Sequence, residues 1–173
     1  MTADDLKALI RTVPDFPREG VMFRDITTLL ADGQGLTAAV EMIAQRANAV
    51  GAGAIAGLEA RGFIFGAAVA SLLMLGFVPV RKAGKLPWAV VREEYQLEYG
   101  SDKLEIHRDA IHPGERILVI DDVLATGGTA AATCRLVEAL GGVVVGLGFL
   151  LEISELSGRA RLGERMIESL AVY

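Results

Sequence analysis

The sequence predicts an α/β protein with a mostly parallel central sheet flanked by helices on both faces. Short apolar runs without charges, at residues 54–58, 77–80 and 117–120, are typical of buried parallel strands. These runs alternate with helical patterns, as in βαβ units. Glycine is abundant, with 20 of 173 residues, which fits a core with many tight turns.

The remaining elements follow from local patterns. Acidic residues in the first turn favour a short packing helix at the N-terminal end, and regular apolar spacing favours an amphipathic helix further on. The predicted helices are residues 4–11, 36–47, a segment starting near Gly62, about 128–140, and 155–162. Further strands are predicted at residues 103–108, 143–151 and 168–173.

Length and charge limit the function classes. A chain of 173 residues fits a single domain, residues 1–173, which would bury roughly 70% of its unfolded surface. The net charge of −5 argues against a sequence-independent nucleic-acid binder, which would normally carry a basic face. A small anionic substrate needs only a local cluster of positive charge.

Cysteine usage and hydropathy bear on the compartment. The single cysteine, Cys134, excludes an intrachain disulfide framework and is expected to be a packed core thiol in a reducing compartment. The first ten residues lack the pattern of a signal peptide, so we expect a cytoplasmic protein. Residues 62–80 carry no charge, but Gly76 and Pro79 interrupt them, which favours a buried helix and strand over a membrane span.

The most informative stretch is ILVIDDVLATGGT, residues 117–129. Asp121 and Asp122 follow the apolar run, at the carboxyl end of a predicted strand, where ligands bind in open α/β sheets. The turn that follows offers backbone amides and two hydroxyls, which suit a phosphate monoester. Its candidate phosphate-binding and ribose-binding residues are Ala125, Thr126, Gly127, Gly128 and Thr129. A plain strand–turn–helix junction with a solvated Asp122 is the alternative.

This stretch resembles the phosphoribosyl-pyrophosphate (PRPP) motif of type I phosphoribosyltransferases. Further motifs narrow the resemblance, over nearly the full length, to the adenine phosphoribosyltransferases. The resemblance implies a purine-salvage reaction in which adenine and PRPP give AMP and pyrophosphate. It also implies Mg²⁺ as the cofactor, held through the substrate near Asp121 and Asp122 without a direct protein site, and a homodimer.

Two further segments carry the charge that a pyrophosphate group requires. Glu59, Ala60 and Arg61 follow the strand at residues 54–58, and an arginine fork suits phosphate oxygens. An ion pair between Arg61 and Glu59 at the surface is the alternative. RKAGKLP, with Arg81, Lys82 and Lys85, resembles a signature that binds pyrophosphate in the same family, although such a cluster can also be a solvated surface run.

The segment FPREGVMFRDIT, residues 16–27, resembles the hood over the adenine base in this family. Prolines and a glycine prevent a long regular element there, and apolar side chains indicate a segment, approximately residues 13–30, that packs over the core. A capping flap without a ligand is the alternative. The resemblance implies base contacts from Val21, Met22, Phe23 and Arg24.

Residues 86–102 lack a clear period, and a loop of this length is typically a functional lid, which we expect at approximately residues 84–102. LEYG, residues 97–100, resembles the flexible-loop motif of the family. The resemblance implies that Glu98 and Tyr99 complete the closed site, so the candidate catalytic residues are Glu98, Tyr99 and Arg61.

Other functional interpretations have weaker support in the sequence. Gly146 and Gly148 lack the third glycine and the strand–turn–helix context of a dinucleotide-binding fingerprint, and GxxxxGK[ST] is absent. His107 and His112 lie outside any ligand spacing. Two alternatives remain for the function: a transferase acting on an oxopurine, and a PRPP-sensing regulator without catalysis, for whose DNA-binding region this chain has no spare length.

Overall fold

A computed structural model of the chain describes residues 1–96 and 101–173. Within these residues, the helices and strands in chain order are α1 (Ala3–Leu9), β1 (Arg11–Val13), β2 (Phe23–Asp25), α2 (Thr27–Ala31), α3 (Gly33–Ala49), β3 (Ala54–Leu58), α4 (Gly62–Leu73), β4 (Gly76–Lys82), β5 (Val90–Gln96), β6 (Ser101–His107), β7 (Arg116–Leu124), α5 (Gly128–Ala139), β8 (Val143–Glu152) and β9 (Ile167–Val172). The short 3₁₀ helices Ser154–Leu156 and Gly158–Arg161 lie between β8 and β9.

The central sheet is mostly parallel, as predicted. In the described part of the chain it has seven strands in the order β5-β6-β4-β3-β7-β8-β9. Strands β4, β3, β7, β8 and β9 pair in parallel, and β6 and β5 extend the β4 edge in antiparallel pairs. The carboxyl ends of β4, β3 and β7 therefore lie side by side, which brings the segments that follow them to one edge of the sheet.

Alternate residues of the inner strands point to opposite faces of the sheet, and helices cover both faces. Ile55 and Ile120 pack with Phe65 of α4 in one buried cluster that also contains residues of α1, α2 and α3. Ala56 and Val119 pack with residues of α5 in a second cluster. Among these is Cys134, which is fully buried, and burial raises the pKa of its thiol to about 11. The prediction of a core thiol is confirmed.

A small hood lies beside this sheet, at the N-terminal end of the chain. Strands β1 and β2 form an antiparallel pair in which Thr12 is opposite Arg24. Helix α1 joins the hood to the core through Leu6, which is fully buried. The predicted fold class, with its hood, is therefore confirmed.

Several element bounds differ from those predicted. Strand β7 extends to Leu124, so Asp121 and Asp122 lie within the strand rather than after it. Residues 90–96 form β5, which pairs along its length with β6, whereas the sequence predicted an irregular loop there. The segment 155–162 forms 3₁₀ turns in place of the predicted helix.

The apolar stretch 62–80 forms helix α4 and then strand β4, as expected. Across residues 1–96 and 101–173, no helix combines the length and the apolar character needed to cross a membrane.

Candidate active site

The acidic pair of β7 lies at the carboxyl edge of the sheet formed by β4, β3 and β7. The backbone N–H of Asp122 donates to Oδ1 of Asp121 at 2.8 Å. Burial, followed by the charge of Asp122, raises the pKa of the Asp121 carboxyl well above its ordinary value. Gly62, the first residue of α4, allows this close approach, since a Cβ there would lie 2.8 Å from Oδ1 of Asp121.

Arg61 joins the acidic pair to the turn after β3. Its Nε lies 2.6 Å from Oδ2 of Asp122, whose side chain is only 7% exposed. Glu59 pairs instead with Arg81, whose Nε lies 2.7 Å from its Oε2. The alternative in which Arg61 pairs with Glu59 at the surface is therefore wrong, because each side chain has a different partner.

The predicted phosphate-binding turn connects β7 to α5. Gly127 precedes α5 with φ of +77°, a left-handed conformation that favours glycine. A Cβ at this position would lie 2.3 Å from the carbonyl oxygen of Gly158. Backbone N–H groups at the start of α5 are available to an anion, because the first turn of a helix leaves them without intrahelical partners.

The cations at the end of β4 and in the turn that follows it form a separate group at the same edge. Arg81 donates through Nη1 to the backbone oxygen of Lys85 at 3.2 Å, which closes the turn between them. Lys82 pairs with Asp102 of β6 at 2.9 Å, and this hydrogen bond raises the pKa of Lys82 and lowers that of Asp102. Asp102 was not identified from the sequence, because its role depends on the antiparallel register between β4 and β6.

A cavity of about 470 Å³ lies between the hood and this edge of the sheet. Its lining joins the hood to Asp122 of the acidic pair and to the segment that follows β8. The lining residues are Gly20, Val21, Met22, Phe23, Arg24, Arg61, Asp122, Val123, Ala125, Leu151, Ile153, Glu155, Leu156 and Tyr173. The guanidinium carbon of Arg61 lies 6.0 Å from the centre of the Phe23 ring, so charge and aromatic surface meet inside it.

The structure therefore brings together residues that are far apart in the sequence. The cavity contains all four hood residues proposed for the base, together with Arg61, Asp122 and Ala125. Arg81, Lys82 and Lys85 do not line it, and they lie on the neighbouring β4 side of the same edge. The proposed catalytic residues Glu98 and Tyr99 lie outside the described residues.

One wall of the cavity was missed by the sequence analysis. Ile153, Leu156 and Tyr173 form it, with the carboxylate of Glu155 nearby. Their local sequence has no charge cluster or glycine-rich turn, and residues 155–162 look like an ordinary helix. The wall arises because β8 and β9 are parallel neighbours whose carboxyl ends reach the same edge of the sheet.

Among the described residues, no group of three or more acidic, histidine or cysteine side chains could hold a metal ion. Asp122 is engaged by Arg61, and Asp121 lies beside it. These carboxylates fit a site at which Mg²⁺ would take its oxygen ligands from a substrate and water, with Asp121 and Asp122 nearby but not as direct ligands.

Comparison with known proteins agrees with this geometry. The phosphoribosyl transferase domain model matches residues 26–164. Adenine phosphoribosyltransferase of Novosphingobium aromaticivorans is 55% identical over 162 residues, which are 94% of this chain and 91% of that protein. The chain belongs to the adenine phosphoribosyltransferase family. It is therefore a phosphoribosyltransferase.

Solved structures of family members share the whole fold. The enzyme of Thermoanaerobacter pseudethanolicus superposes with a TM-score of 0.96 at 48% identity, covering 99% of this chain and 100% of that chain. The enzyme of Saccharomyces cerevisiae, at 38% identity and a TM-score of 0.92 over 97% of both chains, was solved with adenine and a bisphosphate compound. The family fold thus includes both the sheet and the hood.

Proposed function

We infer that this protein transfers the 5-phosphoribosyl group of PRPP to adenine, giving AMP and pyrophosphate. The observation that carries this inference is the cavity of about 470 Å³, which joins the hood residues 21–24 to Arg61, Asp122 and Ala125. A flat apolar base would find matching chemistry there, and the side lined by Arg61, Asp122 and Ala125 would face the charged sugar phosphate.

The base would occupy the hood side of the cavity. Its faces would lie against apolar side chains, among them Val21, Phe23 and Leu156, which line the cavity. Backbone N–H and C=O groups at Met22 and Arg24 would read the donor and acceptor edge of the purine. The family relative solved with adenine supports this choice of base.

The sugar phosphate would occupy the side formed by the PRPP motif. Backbone amides of residues 125–129 would hold the 5′-phosphate at the start of α5. Asp121 and Asp122 would orient the ribose hydroxyls, and Arg61 with residues 59–60 would bind the pyrophosphate. Arg81, Lys82 and Lys85 would add positive charge as this group leaves.

Mg²⁺ bound to oxygens of the substrate would offset the negative charge of the pyrophosphate. During the reaction, N9 of adenine forms a bond to the anomeric carbon while the bond from that carbon to the pyrophosphate oxygen breaks. The N9 proton must then leave the purine. We assign its acceptance to the carboxylate of Glu98, with Tyr99 beside the sugar.

The experiment that tests this proposal is product detection. The protein would be incubated with PRPP, Mg²⁺ and, separately, adenine, hypoxanthine, guanine or xanthine. We expect AMP and pyrophosphate from adenine and little product from the oxopurines. A preference for an oxopurine would overturn the choice of base, and PRPP binding without any product would favour a regulator.

A homodimer in the cytoplasm completes the proposal. Leu72 and Met74, at the end of α4, expose 54% and 93% of their surface and offer apolar area for a second copy. Light scattering behind a size-exclusion column would measure the mass in solution. The single thiol, buried at Cys134, is compatible with a reducing compartment.

A further inference from the structure

The aromatic ring of Tyr173 packs against the side chain of Arg24, which anchors the hood. The guanidinium carbon of Arg24 lies 4.1 Å from the centre of this ring, a distance typical of a cation–π contact. Arg24 also donates through Nη1 to Oγ1 of Thr12 on the paired strand β1. Within the described residues, the buried Nε of Arg24 has no hydrogen-bond partner, so the aromatic face is the neighbour that compensates for its burial.

The backbone of Tyr173 holds the opposite wall of the cavity. The carbonyl oxygen of Tyr173 accepts hydrogen bonds from the backbone N–H of Ser154 at 2.9 Å and from its Oγ at 2.6 Å. Ser154 begins the short helix that ends at Leu156 and lines the cavity. The backbone N–H of Tyr173 donates to the oxygen of Glu152 at 2.9 Å, which continues the pairing of β9 with β8.

The ring itself is fixed from a third direction. The hydroxyl of Tyr173 donates to the backbone oxygen of Lys7 in α1 at 3.2 Å, and Nζ of Lys7 lies 4.5 Å from the ring centre. Burial raises the pKa of the Tyr173 hydroxyl, while the nearby charge of Arg24 opposes that shift. The ring therefore stays neutral at ordinary pH, and the cations of Lys7 and Arg24 both lie over it.

We propose that Tyr173 is a positioning residue that sets the width of the base cavity by holding Arg24, and with it the hood segment 21–24, at a fixed distance from the wall formed by residues 153–156. The inference rests on the proposed function and deepens it, because the cavity is where the base would bind. We therefore expect a change at Tyr173 to alter the KM for adenine but not the KM for PRPP. Tyr173 itself takes no part in the chemistry.

The test compares Tyr173→Leu with Tyr173→Phe. Leucine removes the aromatic face, so we expect KM for adenine to rise roughly threefold to thirtyfold, the fold-change that corresponds to an ordinary cation–π contact. KM for PRPP should stay within about twofold of wild type. Phenylalanine keeps the aromatic face and lacks only the hydroxyl, so Tyr173→Phe should have the same KM for adenine as the wild type. Val172→Ala, on an exposed neighbour 47% accessible, is the matched control and should behave as wild type.

Three outcomes would overturn the proposal: an unchanged KM for adenine in Tyr173→Leu, a parallel rise in both KM values, or a Tyr173→Phe variant as impaired as Tyr173→Leu. Hydrogen exchange of the free protein provides a readout without substrate. Faster exchange at residues 21–25 in Tyr173→Leu, but not in Tyr173→Phe, is expected, and equal exchange contradicts the anchoring. If wild-type protein made no AMP, the proposed function would fail, while this exchange comparison would still decide the role of Tyr173.

Discussion

Arg61, in the turn between β3 and α4, and Asp122, within β7, form an ion pair with 2.6 Å between Nε and Oδ2. The Asp122 carboxylate is almost fully buried, whereas the Arg61 side chain remains 43% exposed. Guanidinium has five N–H donors, so Arg61 can bind Asp122 and still present donors to a phosphate. The pair thus links the proposed pyrophosphate loop to the PRPP motif before any ligand arrives.

We expect Arg61→Ala to lower stability as well as activity. Removing the guanidinium leaves a buried carboxylate without its partner, which costs about 1–3 kcal/mol of unfolding free energy. In the double variant Arg61→Ala/Asp122→Ala this penalty should largely disappear. Urea denaturation of the single and double variants measures the coupling.

The surface pair of Arg46 and Glu168 is the matched control, with 2.5 Å between Nε and Oε1 and side chains 58% and 32% exposed. Arg46→Ala should cost less than about 1 kcal/mol, because exposed pairs contribute little. Equal costs for Arg61→Ala and Arg46→Ala would contradict a structural role of the buried pair.

Asp121→Asn should stabilise the free protein while impairing PRPP use. The folded state raises the pKa of Asp121, chiefly through burial, so above the ordinary pKa of an aspartate this carboxyl imposes a penalty on folding, because it ionises more readily in the unfolded chain. Asparagine removes that penalty. The advantage of asparagine should be present at pH 7, shrink as the pH falls through the raised pKa of Asp121, and be lost below the ordinary pKa of an aspartate, where the carboxyl is protonated in both states. Urea midpoints across this pH range provide the measurement, and an advantage that grew at low pH would show that the sign is wrong.

Gly127→Ala should damage the phosphate-binding turn. A Cβ would add the cost of a left-handed conformation, about 1–2 kcal/mol, to a collision at 2.3 Å with the oxygen of Gly158. We expect KM for PRPP to rise at least tenfold. Gly114→Ala is the matched control, because its φ of +80° is similar but a Cβ there meets nothing within 4 Å. Steady-state kinetics of both variants separates the effect of the collision from the cost of the left-handed conformation. An equal rise in KM for PRPP in both variants would refute the close contact as the cause.

Glu98→Gln should lower kcat without weakening PRPP binding. The amide keeps the size of the side chain but cannot accept the N9 proton, and general acid–base assistance is typically worth about 10²–10⁴-fold. We expect kcat to fall well over tenfold. Glu94→Gln, whose carboxylate accepts a hydrogen bond from Ser101 at 2.6 Å, should remain near wild type. Full turnover by Glu98→Gln, or equal losses in both variants, would remove Glu98 from proton transfer.

Local patterns in the sequence were enough to predict the parallel sheet and the strand that carries Asp121 and Asp122. Runs such as residues 54–58 and 117–120 are apolar on both faces, which only a buried parallel strand requires. Because parallel strands share one carboxyl edge, the segments following them had to converge there. The hood residues 21–24 were identified by resemblance, and the cavity places them beside Arg61 and Asp122.

Only the tertiary structure determined which partners the side chains of the candidate site take. Arg61 is two residues from Glu59, yet it pairs with Asp122, because the start of α4 lies against β7. Strand β5 has no clear alternation of its own and exists through its antiparallel pairing with β6. Tyr173 reaches the base cavity because the parallel register of β9 with β8 brings it beside Ser154 and Arg24. Contacts of this kind depend on the packing of segments far apart in the chain, which no local pattern of residues records.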